Sequence, residues 1–166
     1  MKNMGCLLVF SLPFAAVGVF MLNKSVINIL EWRAAKSWVE TPATIIDLEL
    51  ASSTDSEGST TYEALARYRY NAGGQDFEGA RVALYEGADN IGDFHQLVFD
   101  ELRPYWQSGD TYRCFVDPKD PTRALLNREM RWGMIGFQMV FVVMFGGAGF
   151  GIMIFALYAI RKNSRA

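Results

Sequence analysis

The chain has 166 residues, a formal net charge of −2 and a mean hydropathy close to zero. That length allows one ordinary soluble domain, and the acidic balance argues against a nucleic-acid-binding face, which is basic. The apolar residues are unevenly spread: no charged side chain occurs from Asn3 to Asn23 or from Trp132 to Ile160, and a spanning helix needs roughly 20 mostly apolar residues to cross about 30 Å of hydrocarbon.

The first apolar run, Met4 to Leu22, predicts a membrane helix. Lys2 also supplies the positive start of a signal peptide, but no small-x-small cleavage site follows, so an uncleaved anchor is the expectation. Cys6 precedes the apolar run instead of following it, which excludes a lipoprotein cleavage box. Val26, Ile27, Leu30 and Ala34 recur at helical spacing, and Trp32 and Trp38 suit a membrane–water interface. The first helix with its extension is therefore placed at residues 4–38, with Thr41-Pro42 ending it.

Residues 39–128 predict a soluble β-rich domain. Ala43 to Leu50 alternates, with Ile46, Leu48 and Leu50 on one face and Asp47 and Glu49 on the other, as a half-buried strand does. Residues 51–61, rich in Ser, Thr, Asp and Gly, read as a long mobile hairpin loop. Tyr62 to Tyr70 is a second strand with Ala64, Ala66, Tyr68 and Tyr70 on one face. Asn71-Ala72-Gly73-Gly74 is a turn. Gln75 to Leu84 is a third strand with Phe77 and Val82 inward, and Gly79 lets a neighbouring aromatic lie close.

Residues 86–92 read as a loop and Asp93 as a helix cap. Phe94, Leu97, Val98 and Leu102 form an amphipathic stripe, and Pro104 is expected to end the helix. Gln107 to Asp110 is a turn and Thr111 to Val116 a fourth strand. Asp117, Pro118, Asp120 and Pro121 form a rigid double turn that defines the chain's exit, before a short strand at Ala124 to Asn127. The second helix is placed at 129–161. Its 29 uncharged residues reach about 43 Å at ~1.5 Å each, more than a bilayer core, so Gly136 to Ala159 is expected within the membrane. The predicted fold class is an α+β membrane protein: two transmembrane helices flank a small, mostly antiparallel β-domain, an open barrel or sandwich, with one inserted helix.

All 18 acidic residues lie between Glu31 and Glu129, and that stretch through Arg131 holds eleven basic residues, a net −7. Lys2, Arg161, Lys162 and Arg165 make both tails purely basic. Cytoplasmic flanks are enriched in Lys and Arg. The termini are therefore placed in the cytoplasm and the domain outside it, although Lys24, Arg33, Lys36, Arg123, Arg128 and Arg131 reduce the asymmetry.

Trp38 followed by Thr41-Pro42-Ala43-Thr44-Ile45 opens a recognisable series. It continues through Tyr68-x-Tyr70, Gly74, Phe77 and Gly79, and ends in Tyr105-x-x-x-Gly109 and Tyr112-Arg113-Cys114-Phe115-Val116-Asp117-Pro118-x-x-Pro121. In these features the chain resembles a bacterial membrane family known only as domain-of-unknown-function family 3592. The resemblance implies a membrane-tethered β-domain and brings no activity or catalytic residues. The helix at Asp93 to Arg103 is a candidate for specificity individual to this chain.

Motifs for chemistry are sparse. His95, the only histidine, falls beside the apolar stripe and reads as a surface or boundary residue; a base at His95 with Ser108 or Cys114 as nucleophile has no supporting motif. One histidine and one soluble cysteine do not make a zinc site. Asp110, Asp117 and Asp120 lack calcium-loop spacing. Gly73-Gly74 lacks the ending of a phosphate-binding loop. Cys114 reads as a packed strand position, and no disulfide to Cys6 is expected. No catalytic residue, cofactor or metal is therefore expected. Gly147 and Gly151 form a GxxxG pair suited to close helix packing, against Ser11, Ala15 and Gly18 of the first span or against another protein. Neither span carries a charge, which argues against a transporter.

The leading expectation is a non-enzymatic interaction module at the outer face of a bacterial inner membrane. It would present a sheet face, or the loops at 51–61 and 86–93, to another membrane or envelope protein, including a second copy. Immunity against an envelope-acting toxin is the second expectation, and a hydrolase using His95 the third.

Overall fold

In the computed structural model the described residues are 2–163, excluding the side chains at both extremes. The Lys2 side chain and Arg165, used above for orientation, lie outside them. Helix α1 (Lys2–Ala35) is followed by β1 (Val39–Thr54), β2 (Thr60–Ala72), β3 (Gln75–Gly79), α2 (Phe94–Ser108), β4 (Thr111–Asp117) and β5 (Asp120–Leu125). The last helix runs as α3 (Trp132–Phe141), a π-helical turn (Val142–Gly146) and α4 (Gly147–Asn163). Two long apolar helices thus flank a five-stranded antiparallel open sheet with one inserted helix. The chain divides into a helix pair, up to Ile27 and from Arg131 on, and a β-domain, Asn28–Met130.

The sheet order is β3-β2-β1-β4-β5. Alternation places Ala64, Ala66, Tyr68 and Tyr70 of β2 in the core, each 5% exposed or less, as the sequence predicts. In β1 the inward residues are Ala43, Ile45 and Leu48. A register shift between Ile45 and Asp47 leaves Ile46 as the extra residue of a bulge, so the expected Ile46–Leu48 face is wrong at Ile46. A bulge places two residues opposite one and reverses parity, which strict alternation cannot show. α2 covers the core through Val98, Leu102 and His95, with Phe94 and Phe99 partly buried. Leu97, expected in that stripe, is 66% exposed.

Several boundaries differ from expectation. β3 ends at Gly79 and not at Leu84, because beyond it the chain turns to Asn127, whose amide donates to Val82 O at 2.8 Å. α1 stops at Ala35, where Ser37 and Trp38 donate amides back to Ala34 and Ala35 at 3.0 and 3.1 Å. Thr41-Pro42 therefore lies inside β1. Pro42 opposes Arg113 of β4 but precedes the first β1–β2 pair, Ala43↔Tyr70, where no ladder bond is lost to the missing donor. The expected loop at 51–61 is mostly paired strand, with Ala51↔Glu63 through Thr54↔Thr60 in register. Only Asp55–Ser59 turns, and the Asp55 carboxylate accepts the Glu57 and Ser59 amides, each at 2.9 Å. Both faces of this ribbon tip meet solvent, so alternation is absent and threonine alone signals the strand. α2 runs through Pro104 to Ser108 and ends on left-handed Gly109, whose amide donates to Tyr105 O at 2.9 Å. Asp93 holds the cap position without a side-chain cap bond.

By length and composition, two helices suffice to cross a membrane: Gly5–Ala35 and Trp132–Lys162. Only 11% and 17% of their most apolar windows are buried, unlike the core helix of a soluble protein. Within the helix pair the contact uses small residues. A Cβ on Gly18 would overlap the Gly146 backbone, and one on Gly149 the backbone of Ala15. Ser25 Oγ reaches Gln138 Oε1 at 2.9 Å. A Cβ on Gly147 or Gly151 would meet no other part of the structure within 4 Å. The approach thus uses the expected Ala15 and Gly18 of α1 but different glycines on the second helix. Gly147 and Gly151 share one regular helix with Gly149, and the spacing alone does not say which of its faces meets α1.

Candidate functional site

β3 pairs with β2 only from Tyr68 to Ala72. The outer edge of β2 from Thr60 to Ala66 therefore has no neighbouring strand, and unpaired backbone groups there need other partners. The segment between β3 and α2 supplies them. Tyr62 N donates to Asp89 O at 2.9 Å and Asp89 N to Tyr62 O at 3.1 Å. Asn90 Nδ2 donates to Ser59 Oγ at 2.9 Å, and Gly87 N to Glu63 Oε1 at 2.9 Å. The two regions singled out in the sequence, 51–61 and 86–93, are thereby joined into one surface.

His95 completes this seam. Ala64 N donates to its Nδ1 at 3.2 Å, so that nitrogen carries no proton. The proton sits on Nε2, which donates to Asp89 Oδ2 at 3.1 Å. The side chain is 5% exposed, not the surface or boundary residue expected. Helical spacing placed Leu97 in the stripe instead, because α2's rotation is set by the sheet edge it must satisfy. Two conventional partners hold the imidazole between β2 and the 86–93 segment.

The other candidate groups are not brought to His95 by any hydrogen bond among the described residues. Ser108 Oγ donates to Asp110 Oδ2 at 2.8 Å at the α2 terminus. Cys114 is fully buried in the sheet core, and burial pushes its thiol up to about 12. Asp117 accepts the Lys119 amide at 2.9 Å and Arg123 Nη1 at 3.4 Å, while Asp120 accepts from the Thr122 hydroxyl at 2.6 Å. Pro118 lies in the two-residue connection between β4 and β5, and Pro121 within β5, where Pro121 O accepts the Tyr70 hydroxyl at 2.9 Å. The expected double turn is thus a single two-residue turn at Pro118-Lys119: Asp117 ends β4, and Asp120 and Pro121 open β5, which runs to Leu125 and not from Ala124 to Asn127. Among the described residues no group of three or more His, Cys, Asp or Glu side chains is placed to hold a metal ion.

A charged cluster was not anticipated. Glu31, near the end of α1, receives both terminal nitrogens of Arg81 at 2.5 and 2.8 Å and Arg123 Nη2 at 3.1 Å. Arg81 also donates to Ala83 O and Leu84 O, at 3.2 and 3.0 Å. The guanidinium thereby fixes the last turns of α1 to the segment forming the seam. Nearby, Ala35 and Trp38 pack with Leu84, Phe115 and Leu125 in a second small core. The available signal was Glu31 itself, the first acid of the chain, in the last turns of the predicted first helix.

The recurrent residues of the resemblance have packing roles. Tyr68 donates to Arg81 O at 3.0 Å, and its ring occupies the space a Cβ on Gly79 would need. Burial raises the Tyr68 phenol well above its ordinary value. Tyr70 stacks on Phe77 at 5.8 Å, and Tyr105 meets Tyr112 edge-on at 4.9 Å. Residues 41–131 match the family described as Domain of unknown function (DUF3592), and the chain belongs to that family. No curated protein matches the chain in sequence.

Proposed function

We propose that both helices anchor this protein in a bacterial cytoplasmic membrane, with the termini inside and the β-domain outside. There it acts as a non-enzymatic protein-interaction module, an accessory subunit of an envelope or membrane complex. The broad exposure of the two apolar helices supports the anchoring, and basic Arg161 and Lys162 in the last turn of the second helix support its direction. The observation that carries the interaction role is the seam. Tyr62 and Ala64, just past the 51–61 turn, are joined to the 86–93 segment by backbone pairing with Asp89 and by His95, and Asn90 reaches back to Ser59, which makes one preformed surface. A surface ordered beforehand loses less entropy on binding. Photocrosslinking tests this. Ala88→p-benzoylphenylalanine, on the seam, yields a discrete heavier adduct in native membranes, whereas the same change at Arg67, on the sheet's solvent face, does not. No adduct, or equal adducts from both positions, contradicts the reading.

Immunity against an envelope-acting toxin is the second reading, favoured by the acidity of the same surface. A toxin gene beside this one, and sensitivity of a deletion strain to its product, separate it from the accessory-subunit role.

A further inference from the structure

A cavity of about 230 Å³ opens beside the seam, lined by Ala64, Ala80, Val82 and Phe94 with Glu63 and Glu86 among its walls. Small-molecule and cofactor pockets run to roughly 300–1,000 Å³, so this one suits a single side chain. Its mostly apolar lining suits an aliphatic or aromatic one. Buried anchors of that kind dominate many protein interfaces.

The charge around the cavity selects what flanks the anchor. Residues 51–66 contain Asp55, Glu57 and Glu63 and no Lys or Arg. Residues 82–95 contain Glu86, Asp89 and Asp93 and again no Lys or Arg. Arg81 ion-pairs with Glu86 at 3.4 Å, but its guanidinium is shared with both Glu31 oxygens and two carbonyls, and Glu63 has no ion pair among the described residues. Opposite charge across an interface steers encounter and fixes register.

We propose that this cavity receives one apolar side chain from a partner protein segment that carries lysine or arginine on both sides of it. The proposal rests on the interaction reading and names the partner's chemistry. A fluorescent probe peptide, Gly-Lys-Lys-Ser-Phe-Ser-Lys-Lys-Gly, is titrated into the full chain in detergent micelles and followed by anisotropy. Saturable binding is expected, weakened roughly tenfold or more when serine replaces phenylalanine and abolished when glutamates replace the lysines. Ala80→Trp, which fills the mouth, weakens the parent probe by a similar factor. Glu63→Gln with Glu86→Gln weakens it and flattens its salt dependence. The probe substitutions need no altered protein, so misfolding of a variant leaves the test decisive. No saturable binding, equal binding of the serine probe, or no effect of the lysine-to-glutamate change overturns the proposal. A seam adduct at position 88 alongside such a result removes the cavity proposal alone, whereas absence of that adduct removes the interaction reading beneath it.

Discussion

In the helix pair Val9, Phe10, Phe20, Val143 and Phe155 are each more than half exposed, whereas in the β-domain Tyr68, Leu102, Cys114 and Leu125 are 1% exposed or less. Large apolar side chains thus face outward in one region and inward in the other. Burying apolar surface drives folding in water, and the β-domain follows that rule. The helix pair instead makes contact through Gly18, Gly146, Gly149 and Ala15, where backbone meets backbone. Close approach of small residues is how helices associate when the surrounding solvent is itself apolar. The difference between the regions is the one that the proposed membrane anchoring requires.

The largest separation between the regions should come from Leu102→Ala. Removing a fully buried leucine costs about 2–5 kcal/mol. The β-domain's near-ultraviolet signal should melt at a lower temperature while helix-pair helicity in detergent is unchanged; a joint loss would break the comparison. Next is Gly18→Leu, which forces side-chain atoms into the Gly146 backbone and should cost the helix pair ~1–3 kcal/mol. Resistance of the helical signal to dodecyl sulfate should fall, with the β-domain melt unaffected. Gly147→Leu, on the outward face, is the control and should change neither.

The smallest effect is a pH dependence confined to the β-domain. Burial raises Cys114 from 9.0 and Tyr112 from 10.0, each to about 12, with the Glu101 carboxylate adding to the shift at Tyr112. Both groups stay neutral in the folded state at pH values where the unfolded chain has released the protons. Their contribution is full below about pH 9 and is lost as pH rises to about 12. Alkaline melts should show that slope, and Cys114→Ala should reduce it. A melting temperature flat from pH 9 to 12 would contradict the burial of these groups.

The legible parts of the fold were those set by local pattern. Tyr68 and Tyr70 could be placed inward by alternation, and Gly79 beside an aromatic by shared parity, because a strand's period is fixed. The spans could be read from length and absence of charge. What escaped depends on partners distant in sequence. Ile46 is turned by a bulge. His95 is buried because Ala64, thirty-one residues earlier, needs an acceptor at an edge that β3 leaves open. Gly146 and Gly149, not Gly147 and Gly151, meet α1, because the facing side of a helix is set by its partner and not by glycine spacing. The seam itself was visible only as two separate polar loops, since nothing in the composition of 86–93 states that its backbone pairs with Tyr62 on the edge of β2.

Placing each region in its proper solvent is tested most directly by Ser56→Cys, at the exposed hairpin turn, in a Cys6→Ser background. Buried Cys114 gives no competing label. With the cytoplasmic membrane intact and the outer barrier opened, a membrane-impermeant maleimide should label position 56 fully, and the protein should remain in the membrane after alkaline carbonate extraction. Labelling only after the cytoplasmic membrane is lysed would contradict the outward placement, and release by carbonate would contradict the anchoring.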